Sequence, residues 1–163
     1  MLKHFAILIT AAGLMTAPAI AQNATQIAQA KAGQSCADCN LFQADLSFEE
    51  SKNVDLSGAR LRQSNMALST FEGVNFSGAN LSVANLFGAR LNRTDLSGAN
   101  LENAVAVGTY FGSSNFAGAN LNGTNFSGAN LTIAKGLTQT QLNRACGDHS
   151  TRLPTGKTIP SCS

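Results

Sequence analysis

The residues with the most chemical potential are four cysteines and a histidine. Cys36 and Cys39 sit in "SCADCN", a CxxC spacing used for redox couples, haem attachment and half of a zinc site. Asn40 stands where haem attachment needs a histidine, and no thioredoxin-like pattern surrounds the pair. A zinc site needs a second close pair, whereas 15 residues separate Cys146 from Cys162. Cys146 and His149 are three apart, which suits a nucleophile and its base, but a disulfide at Cys146 would leave His149 without a partner. Four cysteines allow three pairings, and proximity favours Cys36–Cys39 with Cys146–Cys162. The second bridge would stabilise the C-terminal tail by about 3 kcal/mol on the chain-entropy argument.

Other chemistry is sparse. Carboxylates do not recur in pairs on one face, and no phosphate-cradling glycine motif stands between a strand and a helix. The sequence calls for no cofactor and no metal, and the expectation is a protein that is not an enzyme. Arg60 with Arg62, and Arg90 with Arg93, are the basic pairs, and aromatics that would stack bases are not interleaved with them. No nucleic-acid partner is expected.

Compartment bears on the cysteines. Lys3, the mostly apolar run from Phe5 to Met15 and the small-x-small Ala19-Ile20-Ala21 read as a secretory signal at residues 1–21, cleaved near Ala21. The run is shorter than the roughly 20 apolar residues of a transmembrane helix, so the mature form is expected to have no membrane span. Removing the segment takes away Lys3 and leaves 10 basic against 9 acidic residues. So balanced a chain lacks the field that steers polyanions or membranes. The expected location is periplasmic or secreted, where paired cysteines persist as disulfides.

What positions these residues is a period of five. From Leu41 to Leu131, every fifth residue of 19 is Leu, Phe or Met in 17 cases; Ser51 and Ala106 are the exceptions. Two residues before each stands a small side chain in 18 of 19 cases, Glu49 being the exception, and two residues after it Gly occurs nine times. Neither a helix nor a continuous strand keeps a five-residue period on one face. The chain must turn once per unit, with glycine easing the corner and the small and large residues pointing inward together. "VDLSGAR" at Val54 returns as "VNFSGAN" at Val74, "TDLSGAN" at Thr94 and "SNFAGAN" at Ser114, an echo of 20 residues. Four sides of five residues make one circuit, so residues 20 apart stack. With strand spacing near 4.8 Å, the units make about five coils and a rod about 23 Å tall. Leu61 and Leu91, which centre the arginine pairs, are 30 apart and therefore on opposite sides.

The units Ala44-Asp45-Leu46, Ala79-Asn80-Leu81, Ala99-Asn100-Leu101 and Ala129-Asn130-Leu131 resemble the pentapeptide-repeat family across roughly residues 36 to 135. That resemblance implies an all-β repeat solenoid, a four-sided right-handed β-helix; the handedness comes from the family alone. The ending "QLNRACGDHSTRLPTGKTIP" is similar to the tail of many bacterial members. Some members bind DNA gyrase by imitating DNA. Here the repeat region carries 8 acidic and 6 basic residues, too even a balance for such mimicry.

The organisation expected is a signal at 1–21, a loose or helical lead-in at 22–35, repeats at 36–135 and a cap at 136–163. In the cap, Thr138 with Gln141 forms a capping box, and Gly147 is placed to end a short helix before an irregular tail. Two segments break the pattern. In "EESKN", Glu49 cannot stay unpaired inside the column, which predicts a bulge or loop and makes Glu49, Glu50 and Lys52 candidate contact residues. At "VAVGTYFG", Ala106 underfills a large-residue position while Val105, Val107 and Tyr110 face outward as a candidate apolar patch.

The leading expectation is an exported structural or protein-interaction scaffold whose partner is an unidentified cell-envelope protein. The alternatives are a gyrase-binding, quinolone-protection protein, which requires an acidic side and no export, and an envelope redox protein using Cys36 and Cys39.

Overall fold

The computed structural model describes residues 22–162. The expected signal at 1–21 lies outside them. Helix α1 (Ala24–Lys31) comes first, capped by the Asn23 side chain, which accepts from Gln26 N. Strands β1 (Glu50–Lys52), β2 (Thr70–Glu72) and β3 (Arg90–Asn92) follow, then the single-turn helix α2 (Gln139–Leu142).

The strands pair in parallel with a register of 20: Glu50 with Thr70, and Thr70 with Arg90. Single bridges repeat that register on the remaining sides. They join Asn40, Arg60, Asn80, Asn100 and Asn120 in one column, and Asp45, Asn65, Asn85, Val105 and Asn125 in a second. Asp55, Asn75, Asp95, Asn115 and Lys135 form a third, while Tyr110 and Asn130 extend the β3 column. The columns are named below by their first residues: the Asn40, Asp45, Glu50 and Asp55 sides. Named strands are few because most units commit one residue to the ladder before the chain turns.

All 19 large-position residues are buried, and so are the small-position residues other than Glu49. The corners explain why the count never slips. Residues two after the large position have φ between 54° and 60° when they are Gln43, Phe48, Asn53, Gln63, Leu68, Val83, Arg93, Asn103 or Ser113. Gly58, Gly78 and Gly98 hold the same left-handed region with φ of 63° to 65°. Glycine is thus the unstrained choice at this recurring corner, and the side chains that hold the same positive φ carry backbone strain.

The ladder Asn or Asp does two further things. Asn75 Oδ1 accepts from the Ser77 N–H at 2.9 Å, tightening the corner, while Asn75 Nδ2 donates to Asp55 Oδ1 at 3.0 Å in the circuit before. The same pairing links Asn65 to Asp45 and Asn115 to Asp95.

Both ends are covered. At the start, Ala30 of α1 is buried, Ile27 packs on the core, and Gln26 Oε1 accepts from Asn40 N at 2.7 Å, replacing the missing earlier rung. At the other end, Leu137, Leu142 and Ala145 are buried, and Gln141 Nε2 donates to the carbonyls of Phe116 and Ala119 at 2.9 Å. The capping box of Thr138 and Gln141 is present. Gly147 does not end the helix, which stops at Asn143. One turn is all that fits before the chain rejoins the ladder, where Cys146 bridges Asn125 and Gly147 bridges Ser161.

"EESKN" makes no bulge. Its central residues are β1, in unbroken register with β2. Ser51 is small enough to be buried at the large position, and Glu49 lies in the first rung, where its carboxylate reaches Lys31 of α1 at 3.4 Å. Ala106 leaves the register intact as well. Phe111, Phe116 and Phe126 fill the surrounding interior edge to face, with centroids 5.1 to 6.4 Å apart.

Candidate interaction surface

The cysteines form two disulfides, Cys36–Cys39 and Cys146–Cys162. Cys36 and Cys39 are buried in the first turn of the rod, Cys36 at a large and Cys39 at a small inward position. Cys146 follows Ala145 into the final rungs, and Cys162 donates its backbone N–H to Gly147 O at 2.9 Å. Each bridge therefore ties one covered end. His149 is exposed in the tail with Cys146 committed to sulfur, so the nucleophile-and-base pair is not assembled. Among the described residues no group of three His, Cys, Asp or Glu is arranged to hold a metal ion. No described helix is long and apolar enough to cross a membrane.

The surface of the described residues includes two hollows. One of about 350 Å³ is lined by Ala119, Asn122, Thr140, Gln141 and Arg144 where α2 meets the last coils. The other, of about 180 Å³, is lined by Asn40, Phe42, Arg60, Arg62 and Asn80 on the Asn40 side. Neither brings a nucleophile to a base.

Three aspartates brace the corners. Asp148 Oδ1 accepts from Ser150 Oγ at 2.7 Å, Gly128 N at 2.9 Å, Ser150 N at 3.0 Å and Thr151 Oγ1 at 3.2 Å. Those donors, led by the Ser150 hydroxyl, hold its carboxyl down to about 2. Asp45 and Asp55 are lowered for the same reason, by Ser47 and Ser57.

The candidate contact residues divide between two adjoining sides. Glu50 and Tyr110 occupy one column, three rungs apart, with Lys52 beside Glu50. Lys52 pairs with Glu72 at 3.4 Å, and Arg93 also pairs with Glu72. Arg90 lies over the Tyr110 ring, 5.5 Å from its centroid, and Gly112 leaves room for that ring: a Cβ there would sit 2.5 Å from it. Val105 is 41% exposed on the Asp45 side, and Val107 is half-buried next to it. Glu49 is turned to the N-terminal end.

The structure adds three residues that the sequence reading did not single out. Phe48, Leu68 and Phe87 are 72%, 49% and 49% exposed. They lie on successive rungs of the edge joining the Asp45 and Glu50 sides, since Phe48 N donates to Ala67 O and Leu68 N to Phe87 O. Gly88 N then donates to Val107 O, which carries the line up to Val107. The result is a continuous apolar line on an otherwise Asn-rich rod. A signal for it was present: stepping 20 from Phe48 gives Leu68, and 20 more gives Gly88, with Phe87 adjoining.

A family model described as pentapeptide repeats matches residues 52–93 and 94–132, in eight copies. No curated protein matches the chain. Among solved structures, the chain is 24% identical to the pentapeptide repeat protein Rfr23 of the cyanobacterium Cyanothece 51142. The match covers 79% of this chain and 97% of that one, with a TM-score of 0.51. It is 25% identical to alr5209, a pentapeptide repeat protein of Nostoc PCC 7120, over 84% and 88% of the two chains at a TM-score of 0.46. QnrB1, a plasmid-mediated fluoroquinolone resistance protein, is 19% identical over 68% of each chain, at a TM-score of 0.42.

Proposed function

The chain belongs to the pentapeptide-repeat family, whose members fold as right-handed four-sided β-helices, and from that premise we propose that it is an exported, non-catalytic scaffold acting through protein contact. Residues 1–21 are removed on export, 22–35 cover the N-terminal end, 36–135 form about five coils, and 136–163 close the other end. The envelope, periplasmic or extracellular, is where the two end disulfides are chemically at home.

The observation that carries this reading is the apolar line Phe48, Leu68 and Phe87 beside the charged Glu50 side. With both ends covered, contact must be lateral, and this edge is where large apolar groups lie exposed in series. The partner is an envelope protein, and no nucleic acid or cofactor is required.

Photo-cross-linking from inside the native cell tests it. A cross-linking residue at Val105 or Lys52 should give a discrete adduct with a protein of the envelope fraction, and one at Ala117, on the far Asp55 side, should not. Adducts of equal yield from all three positions, or none from any, would overturn the reading.

A further inference from the structure

We propose that the apolar edge is a self-association surface on which a second copy of this chain lies antiparallel, side against side. The inference rests on that edge being a contact surface, and it names the first occupant as the protein itself.

The pattern along the edge is its own complement. Glu50, Thr70 and Arg90 occupy one column in three successive rungs. Phe48, Leu68 and Phe87 run beside them in the same three rungs. Glu50 and Arg90 are exposed, and neither joins an ion pair among the described residues. Lys52 and Arg93, by contrast, both pair with the one carboxylate of Glu72. Opposite charges thus stand one rung to either side of Thr70, and phenylalanines one rung to either side of Leu68.

Consider a two-fold axis that crosses the rod at the Leu68 rung and lies in the plane of the contact. It keeps each column facing the same column of the second copy while reversing the order of the rungs. Glu50 then faces Arg90 of the other copy, twice, Phe48 faces Phe87, and Leu68 meets Leu68. A parallel pair on the Glu50 side would instead set the Phe48 edge against the Asn53 edge, Glu50 against Glu50 and Arg90 against Arg90, with no charge complement. End-to-end stacking is blocked by α1 and α2. The contact spans three rungs, roughly 10 Å of rod, short of the ~800 Å² per partner of a standard stable interface, so the pair is weak and set by concentration.

The test is charge reversal read by sedimentation equilibrium over a concentration series. The wild-type protein should show a monomer–dimer equilibrium. E50R and R90E, each setting like charges against each other at both contacts, should each weaken it by about tenfold or more. Mixing the two variants should restore association as a heterodimer, because E50R presents two arginines where R90E presents two glutamates. Far-UV circular dichroism on each variant confirms the fold. A wild-type protein that is monomeric throughout overturns the proposal, as do variants that self-associate like wild type or a mixture that fails to associate. Because purified protein is used, this failure is separate from failure of the envelope cross-link.

Discussion

Thr94 and Ser114, 20 residues apart, meet hydroxyl to hydroxyl at 2.9 Å inside the rod, and Ser114 Oγ donates onward to Leu91 O at 2.7 Å. Both residues are buried at the small inward position of adjacent rungs. The interior therefore tolerates hydroxyls where the next coil offers a partner. Ser64 is the contrast: it lies between Ala44 and Ala84 in its column, and its buried Oγ has no hydrogen-bond partner.

Ser114→Ala should lower stability by about 1–3 kcal/mol, since it removes a bond to a carbonyl and strands the Thr94 hydroxyl. Ser64→Ala should be neutral or stabilising, because the hydroxyl it removes is desolvated without a partner. Urea denaturation of the two variants checks the sign of each change. Equal losses in both would mean that the hydroxyl network contributes nothing.

Two glycines of positive φ give a second contrast. Gly108 and Gly136 both have positive φ, but a Cβ at Gly108 meets nothing within 4 Å, whereas one at Gly136 would lie 2.6 Å from the backbone N of Ala117. Gly108→Ala should cost about 1–2 kcal/mol, the backbone strain alone. Gly136→Ala should cost clearly more, because backbone must move. Thermal melts of the two variants side by side decide it.

The two disulfides should differ in weight. Cys146–Cys162 closes a separation of 16 and Cys36–Cys39 one of 3. On the chain-entropy argument, losing the longer bridge costs about 3 kcal/mol, and losing the shorter one costs less. Paired Cys→Ser variants, compared by denaturant midpoint under oxidising conditions, should show that order.

Asp148 sets an acid limit on the C-terminal end. Its carboxyl, normally near 3.8, is held to about 2 by the Ser150, Gly128 and Thr151 donors. A depressed folded value means the stabilisation is complete above the unfolded value and is lost as pH falls through the folded one. Stability should thus decline between about pH 4 and pH 2, and Asp148→Asn should flatten that part of the curve. A slope unchanged in the variant would assign the acid loss elsewhere.

How far the residues alone reach follows from what repeats. The Leu41 series and its small partners specify the register, the interior and the sides on which the arginine pairs fall, because one spacing rule governs 19 positions. The cysteine pairing and the Thr138 box are equally legible, being local. Features set by the stack were not. Glu49 predicts a bulge because its position in a column is visible, while the Lys31 that meets it belongs to α1. Gly147 reads as a helix stop because glycine commonly is one, yet here it joins Ser161 in the last rung. Phe48, Leu68 and Phe87 occupy outward positions of three separate units, and only the coil period brings them into line.

Export of a disulfide-closed rod is open to a direct test by intact mass analysis of the protein recovered from fractionated native cells. The expected result is a chain beginning at Gln22, in the envelope or the medium, with a mass showing all four cysteines oxidised. A chain retaining residues 1–21 in the cytoplasm with free thiols would contradict it.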